Sequence, residues 1–147
     1  MKNYNQLTDL FYDTHISSVI QTLAKVCNEN AKKHGFWEDE DAFINLLDKR
    51  QIEDSEGILR SRIISLFNSE KIALEHSELS ERLETLRKDS TKKDEHCPEF
   101  LNIEIEVADL IIRALDFCGR RDLRIGDALI AKMKFNNTRP YKHGKAF

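Results

Sequence analysis

The chain is poor in the residues that interrupt helices. Five glycines and two prolines occur among its 147 residues, and strand-like alternation of apolar and polar residues is scarce. Apolar residues instead recur at helical spacing over long stretches. The sequence therefore predicts an all-α helical bundle, organised as a single domain over 1–147 with a basic tail at 137–147.

Cysteines are few and unpaired in the sequence. Cys27, Cys97 and Cys118 are odd in number and widely spaced, which excludes a disulfide framework and a CxxC pair. His96 precedes Cys97 directly, but no second pair of ligands completes a zinc site, so metal binding is not expected there.

The sequence also lacks long apolar runs and a basic excess. The start, MKNYNQLTDL, has no apolar core of the signal-peptide kind, and no run approaches membrane-spanning length. We therefore expect a cytoplasmic protein without a membrane partner. The formal net charge of −3 argues against general nucleic-acid binding, so any basic function must be local.

Six helices can be read from the apolar spacing. The first ends before Gly35. Pro98 suits the first position of the fifth helix, and Gly119 suits its end. Asp122 can cap the last helix. The predicted helices cover 8–34, two short segments within 38–68 separated by a break near 53–57, then 69–88, 98–118 and 122–136.

The segment 72–88, IALEHSELSERLETLRK, carries glutamate at every third place. On a helical wheel, Glu75 and Glu78 fall at the border of the leucine-rich face, which we expect to be buried. Glu81 and Glu84 fall on the opposite, outer side. The wheel thus predicts two inner and two outer acids.

The next helix, LNIEIEVADLIIRALDFC, is apolar nearly all round, which is typical of a buried helix. Its charged residues nevertheless share one stripe about 80° wide; they are Glu106, Asp109, Arg113 and Asp116. Carboxylates in such a setting are costly unless they are paired or bind a cation. A simple alternative is a surface helix beside a buried Arg113–Asp116 salt bridge.

A short loop between these two helices predicts antiparallel neighbours. Four carboxylates can then converge, and hard divalent cations such as magnesium are their natural complement; the four are Glu75, Glu78, Glu106 and Asp109. A di-iron site is disfavoured because the chain lacks the Glu-x-x-His pairs that such bundles use.

ExxE at 75–78 followed by ExxD at 106–109 resembles the signature of the MazG-like all-α nucleoside triphosphate pyrophosphohydrolases. GFW at 35–37, HSELSERLE at 76–84, CPEF at 97–100, EVADLIIR at 106–113 and RPYKHGK at 139–145 are similar to motifs of a bacterial and phage branch of that superfamily. Arg82 stands where the branch usually has alanine. The segment 38–68 does not align with the branch in a clear register.

The resemblance implies a bundle with a four-helix core and hydrolysis of a ribo- or deoxyribonucleoside triphosphate to its monophosphate and pyrophosphate, in nucleotide-pool housecleaning. It implies Glu75, Glu78, Glu106 and Asp109 as catalytic residues and ligands of Mg²⁺, with Mn²⁺ as an alternative. It further implies a homodimer or homotetramer, with each site completed by a neighbouring chain.

The resemblance also implies a set of substrate-binding residues, namely Phe36, Trp37, Lys132, Asn136, Arg139, Tyr141 and Lys145. An aromatic face can stack on a nucleobase, although Phe36 and Trp37 can equally form a hydrophobic plug at the end of the first helix. The basic residues suit phosphate and sugar, and their alternative is a solvated basic tail.

Two other functions stay open at this point. One is a catalytically silent helical nucleotide-binding or interaction protein that keeps the family skeleton. The other is phosphoribosyl-ATP hydrolysis in histidine synthesis, which the tail motifs fit less well.

Overall fold

A computed structural model describes residues 10–49 and 57–140, with the side chains of Leu10 and Phe11 left out. The five helices in this part of the chain are α1 (Leu10–Lys33), α2 (Glu38–Lys49), α3 (Ile58–Lys88), α4 (Asn102–Arg120) and α5 (Ile125–Asn137). The predicted all-α class is confirmed, because the described residues add only an isolated bridge between Lys93 and Leu101. None of the described helices is both long enough and apolar enough to span a membrane.

Helix α1 ends where the sequence predicts. Gly35 has φ of 81°, a left-handed conformation that costs glycine little. The Phe36 N–H donates to the Ala31 carbonyl and the Gly35 N–H to that of Lys32, each at 3.1 Å. These two hydrogen bonds form a Schellman motif, which turns the chain sharply into α2.

Helix α3 is longer than predicted. The expectation of separate helices on either side of residue 69 is wrong, because one helix of 31 residues runs from Ile58 to Lys88. No glycine or proline interrupts that stretch, so a change in its apolar pattern does not end the helix. The predicted break at 53–57 lies mostly outside the described residues, but Gly57, with φ of 65°, directly precedes the helix.

Helix α4 begins four residues later than predicted. Pro98 lies in a turn closed by a 3.0 Å hydrogen bond from the Phe100 N–H to the Cys97 carbonyl. The Asp94 carboxylate organises this turn, accepting hydrogen bonds of 2.8 Å from the N–H groups of His96 and Cys97. The connection folds α4 back against α3, as the short loop predicts.

The end of α4 also differs from the prediction. Gly119 lies inside the helix, which continues to Arg120. Asp122 does not cap α5; it has φ of 49° in the turn before that helix, which begins at Ile125. Gly119 is therefore not the end that the sequence predicts. The chain leaves the helix after Arg120 and turns at Asp122.

The helices pack in the spatial order α5, α1, α4, α3, α2. A small apolar core lies between α1 and α4 and contains Ala24, Cys27, Leu115 and Cys118. The two helices approach closely here, because a Cβ on Gly119 would lie 2.3 Å from the Ala24 carbonyl oxygen. Gly126 gives α5 a similarly close approach to α1. Helices α1 and α4 therefore form the centre of the fold, with α5 packed on α1 and α3 packed on α4.

Candidate functional site

Helix α3 turns its acids, rather than its leucines, toward α4. Glu78 is 4% exposed, whereas Leu83 is 50% exposed and Leu86 is 54% exposed. With Glu75 at zero, the inner face centres on Glu78 at about 300°, and Leu79, Leu83 and Leu86 lie about 80–140° away. The expectation that the leucine-rich face is buried is therefore wrong for the single chain.

Three carboxylates converge between α3 and α4. One oxygen from each of Glu78, Glu81 and Glu106 lies within 4.8 Å of the other two, and we call these residues the acid trio. Ser77 Oγ donates to Glu81 Oε1 at 3.2 Å, and Asn102 Nδ2 donates to Glu106 Oε1 at 3.4 Å. The trio contains one predicted acid from each helix together with Glu81.

Glu81 is exposed, as expected of an outer acid, but its carboxylate still reaches those of Glu78 and Glu106. Around an inner face centred on Glu78, Glu75 and Glu81 lie about 60° to either side and are equivalent by geometry. A buried face centred on the leucines places Glu75 at its border and Glu81 outside it. A face centred on Glu78 places both residues at its edges.

Glu75 and Asp109 are not members of the acid trio. Glu75 is half-buried, and its charge raises the pKa of the Cys118 thiol, whose burial is the larger cause. Burial likewise raises the pKa of the Glu75 carboxyl. Asp109 is exposed and its charge contributes to raising the pKa of Glu106. The predicted quartet is therefore spread along the seam between the helices.

Arg113 pairs with an acid of the trio. Its Nε donates to Glu78 Oε1, so the suggested Arg113–Asp116 salt bridge is not the pairing formed. Asp116 instead accepts hydrogen bonds of 2.8 Å from Asn28 Nδ2 and Trp37 Nε1. The charged stripe of α4 thus divides into a cation held by Glu78 and a carboxylate held by neutral donors.

A cavity of about 380 Å³ opens beside the trio, between α1, α3 and α4. Glu78, Glu81 and Asp109 line one part of it, and Phe36 and Asp116 line another. Two cations also reach this cavity, Lys71 and Arg113. The cavity therefore combines acids, cations and an exposed aromatic ring, with Phe36 56% exposed.

The two predicted aromatic residues have different positions. Trp37 is 1% exposed, and cationic groups of Lys71, Arg120 and Arg121 lie over its ring at 4.7–5.3 Å from the centroid. Because Trp37 is buried, its position favours the hydrophobic plug at the end of α1 over stacking on a base. Phe36 lines the cavity and keeps the stacking interpretation open.

The predicted phosphate- and sugar-binding residues lie on the far side of α1. Lys132 and Asn136 are on α5, which packs on α1, and Arg139 follows it. None of the three lines the cavity within the described chain; Lys132 and Arg139 lie over the Phe135 ring. Tyr141 and Lys145 fall outside the described residues.

A further cluster of charges stabilises the fold around Trp37. Arg120 and Arg121 both donate to Glu40, which is 3% exposed. Burial opposes ionisation of Glu40, but the hydrogen bonds from Arg121 and Arg120 outweigh it and hold the pKa of Glu40 below its ordinary value. This paired cluster contrasts with the acid trio, which holds an excess of negative charge.

We expect Glu106→Gln to raise the melting temperature at pH 7. Burial, then the charges of Glu81, Asp109 and Glu78, raise the pKa of Glu106 above 4.5. The resulting contribution to stability is present below about pH 4 and is lost as pH rises through the folded-state pKa. The ionised group is therefore destabilising at neutral pH, and the amide removes its charge.

Differential scanning calorimetry of the wild type and Glu106→Gln from pH 3.5 to 8 measures this effect. The advantage of the variant should shrink toward the acid end of the range. Glu84→Gln, on the exposed side of α3, serves as the control and should show no such trend. Equal melting temperatures for Glu106→Gln and the wild type at pH 7 would contradict the expectation.

The chain matches no protein-family model, no curated protein and no solved structure.

Proposed function

We propose that the chain is a magnesium-dependent nucleoside triphosphate pyrophosphohydrolase. The observation that carries this proposal is the convergence of the acid trio, two of whose members, Glu78 and Glu81, line a cavity that also holds two cations and Phe36. Carboxylate oxygens suit magnesium, which in proteins commonly binds one or two carboxylates together with substrate phosphates. The resemblance of the ExxE and ExxD motifs supplies the reaction, cleavage between the α and β phosphorus atoms.

The donor set fits a hard divalent cation. Oxygens within 4.8 Å of one another need small side-chain adjustments to meet an ion at magnesium's distance of about 2.1 Å. Glu78, Glu81 and Glu106 would hold the ion, with Glu75 or Asp109 contributing directly or through water. When bound, magnesium would supply charge neutralisation and a bound water of lowered pKa.

The other cavity residues have roles that follow from their chemistry. Arg113 offers further guanidinium N–H groups beyond the Nε that bonds Glu78, and these suit a phosphate. Lys71 provides a second cation at the Phe36 end, where its Nζ donates to the Phe36 carbonyl at 2.7 Å. The exposed Phe36 ring would stack on the base.

The proposal includes a homo-oligomer. An apolar stripe on the outer side of α3 is left exposed; it contains Ile72, Leu79, Leu83 and Leu86, at 37–54% exposure. Ile111 and Ile112 of α4 are also about half exposed. Leucines at this spacing suit packing against another helix, and a second copy of the chain would cover them. In the implied four-helix core, α1, α3, α4 and α5 would be the members.

A second copy would also complete the site. Lys132, Asn136 and Arg139 are separated from the acid trio by α1 within one chain. Phosphate-binding residues must reach the same substrate as the acids, so the partner's α5 is the proposed source. The acids of one chain and the cations of another would then form each site.

Mixing two inactive variants tests this arrangement. Glu78→Gln and the double variant Lys132→Ala, Arg139→Ala, co-refolded in equal amounts, are expected to regain about a quarter of the wild-type rate, because half of the dimers are mixed and half of their sites are intact. Light scattering should show dimers or tetramers for each preparation. No recovery in mixed oligomers would contradict the shared site, and a monomeric wild type would contradict the oligomer.

A nucleotide panel tests the function itself. The full chain is incubated with magnesium and each of the common ribo- and deoxyribonucleoside triphosphates, and with phosphoribosyl-ATP, and pyrophosphate is measured. Pyrophosphate from any triphosphate supports the proposal, whereas orthophosphate indicates a different phosphohydrolase. Release from phosphoribosyl-ATP alone favours the histidine-synthesis alternative. If no nucleotide releases either product, a binding or interaction protein is favoured, which the many exposed apolar residues would also suit.

A further inference from the structure

Asp116 is held in one orientation by two rigid donors. Its Oδ1 accepts hydrogen bonds of 2.8 Å from Asn28 Nδ2 and from Trp37 Nε1. Trp37 is 1% exposed and Asn28 is 4% exposed, so packing fixes both donors. Both are neutral, and neither supplies a countercharge for the carboxylate.

The second oxygen of Asp116 is left for a ligand. The residue lines the cavity, and among the described residues none donates a hydrogen bond to its Oδ2. The nearby guanidinium groups are engaged elsewhere, since Arg113 bonds Glu78 and Arg120 bonds Glu40. An ionised carboxylate only accepts hydrogen bonds. Its free oxygen therefore suits a ligand that presents an N–H group.

The position of Asp116 identifies which part of a nucleotide it would meet. It lies ten residues after Glu106 on α4, a rise of about 15 Å along the helix. Phe36 lines the same cavity as Asp116. With the triphosphate at the acid trio, the nucleobase would lie at the end that Phe36 and Asp116 share.

We infer that Asp116 is a specificity-determining residue that accepts a hydrogen bond from the exocyclic amino group of the substrate's base. This inference rests on the proposed function and adds to it a preference for amino-bearing bases over their keto counterparts. At the position of that amino group a keto base presents an oxygen, which would place two acceptors together and leave both unpaired. The ring N–H of a keto base lies one atom away and would reach the carboxylate only if the base shifted.

Asp116→Asn tests the inference without removing the acceptor that Asn28 and Trp37 require. Their two hydrogen bonds keep the amide oxygen in place of Oδ1 and direct the amide nitrogen, a donor, into the cavity. The preference should then move toward keto bases. The control is Asp39→Asn, which makes the same chemical change on an exposed residue of α2.

The measurement compares kcat/KM for cytidine against uridine triphosphate and for adenosine against inosine triphosphate. The wild type is expected to favour the amino member of each pair by about tenfold or more, and Asp116→Asn to lower both ratios by at least about tenfold. Calorimetric binding of cytidine and uridine monophosphates to the full chain gives the same ratio independently of turnover. Circular dichroism confirms the helical content of each variant.

Three outcomes overturn the inference. The first is an absence of preference in the wild type. The second is unchanged ratios in Asp116→Asn. The third is an equal loss of activity toward both members of a pair, which indicates a structural role. If no triphosphate yields pyrophosphate, the proposed function fails, while the monophosphate binding ratio still decides the role of Asp116.

Discussion

Replacing Glu78 with glutamine is expected to lower pyrophosphate release by roughly a thousandfold, at little cost to the fold. Glu78 is the most buried member of the acid trio and the centre of the inner face of α3. The amide is almost isosteric and can still accept a hydrogen bond from Arg113. It removes the charge that would hold a cation, so catalysis should suffer far more than stability.

Single-turnover pyrophosphate assays, with magnesium at several concentrations, measure the effect. Glu84→Gln is the matched control, because Glu84 lies on the same helix and its ion pairs with Arg87 and Lys88 are exposed and contribute little. Its activity should equal that of the wild type. Full activity in Glu78→Gln would remove this residue from the proposed catalytic machinery.

Gly119→Ala is expected to destabilise the fold by about 3 kcal/mol and lower the melting temperature by about 10 °C. Helix propensity alone predicts the opposite sign, because alanine is favoured over glycine inside a helix by up to about 1 kcal/mol. The added Cβ would lie 2.3 Å from the Ala24 carbonyl oxygen, a backbone atom that cannot move without shifting α1. Overpacking at the crossing of α1 and α4 should therefore dominate.

Thermal unfolding followed by circular dichroism gives the answer directly. Ser80→Ala is the control, because Ser80 lies on the exposed side of α3. Alanine there improves helix propensity without overpacking against another helix, so stability should change little. A Gly119→Ala variant more stable than the wild type would show that α1 and α4 separate easily at this crossing.

Much of the fold follows from local sequence signals. The scarcity of glycine and proline predicts helices, and Gly35 marks the end of α1 because its left-handed conformation is intrinsic to that residue. Gly119 and Asp122 show the limit of such signals. A glycine needed for close packing and a glycine needed for a turn look identical in sequence, so the predicted α4 ends two residues early and the predicted α5 begins three residues early.

The positions of the acids follow from the sequence only in part, for a related reason. Glu78 is expected at the border of a buried face, and Glu106 needs compensation because it lies on a mostly apolar helix. A wheel oriented by its leucines places Glu81 outside, and in one chain those leucines face outward. Periodicity shows which residues share a face; it does not show what that face meets.

The polar character of the contact between α3 and α4 has a consequence for motion. Charged and hydrogen-bonded side chains such as Glu78, Arg113 and Asn102 join these helices, whereas apolar side chains and close backbone contact join α1 to α4. Local opening favours regions with little buried apolar surface. We therefore expect α3 to separate from α4 more readily than α1 does, and such a movement would widen the cavity between α3 and α4 and admit a substrate.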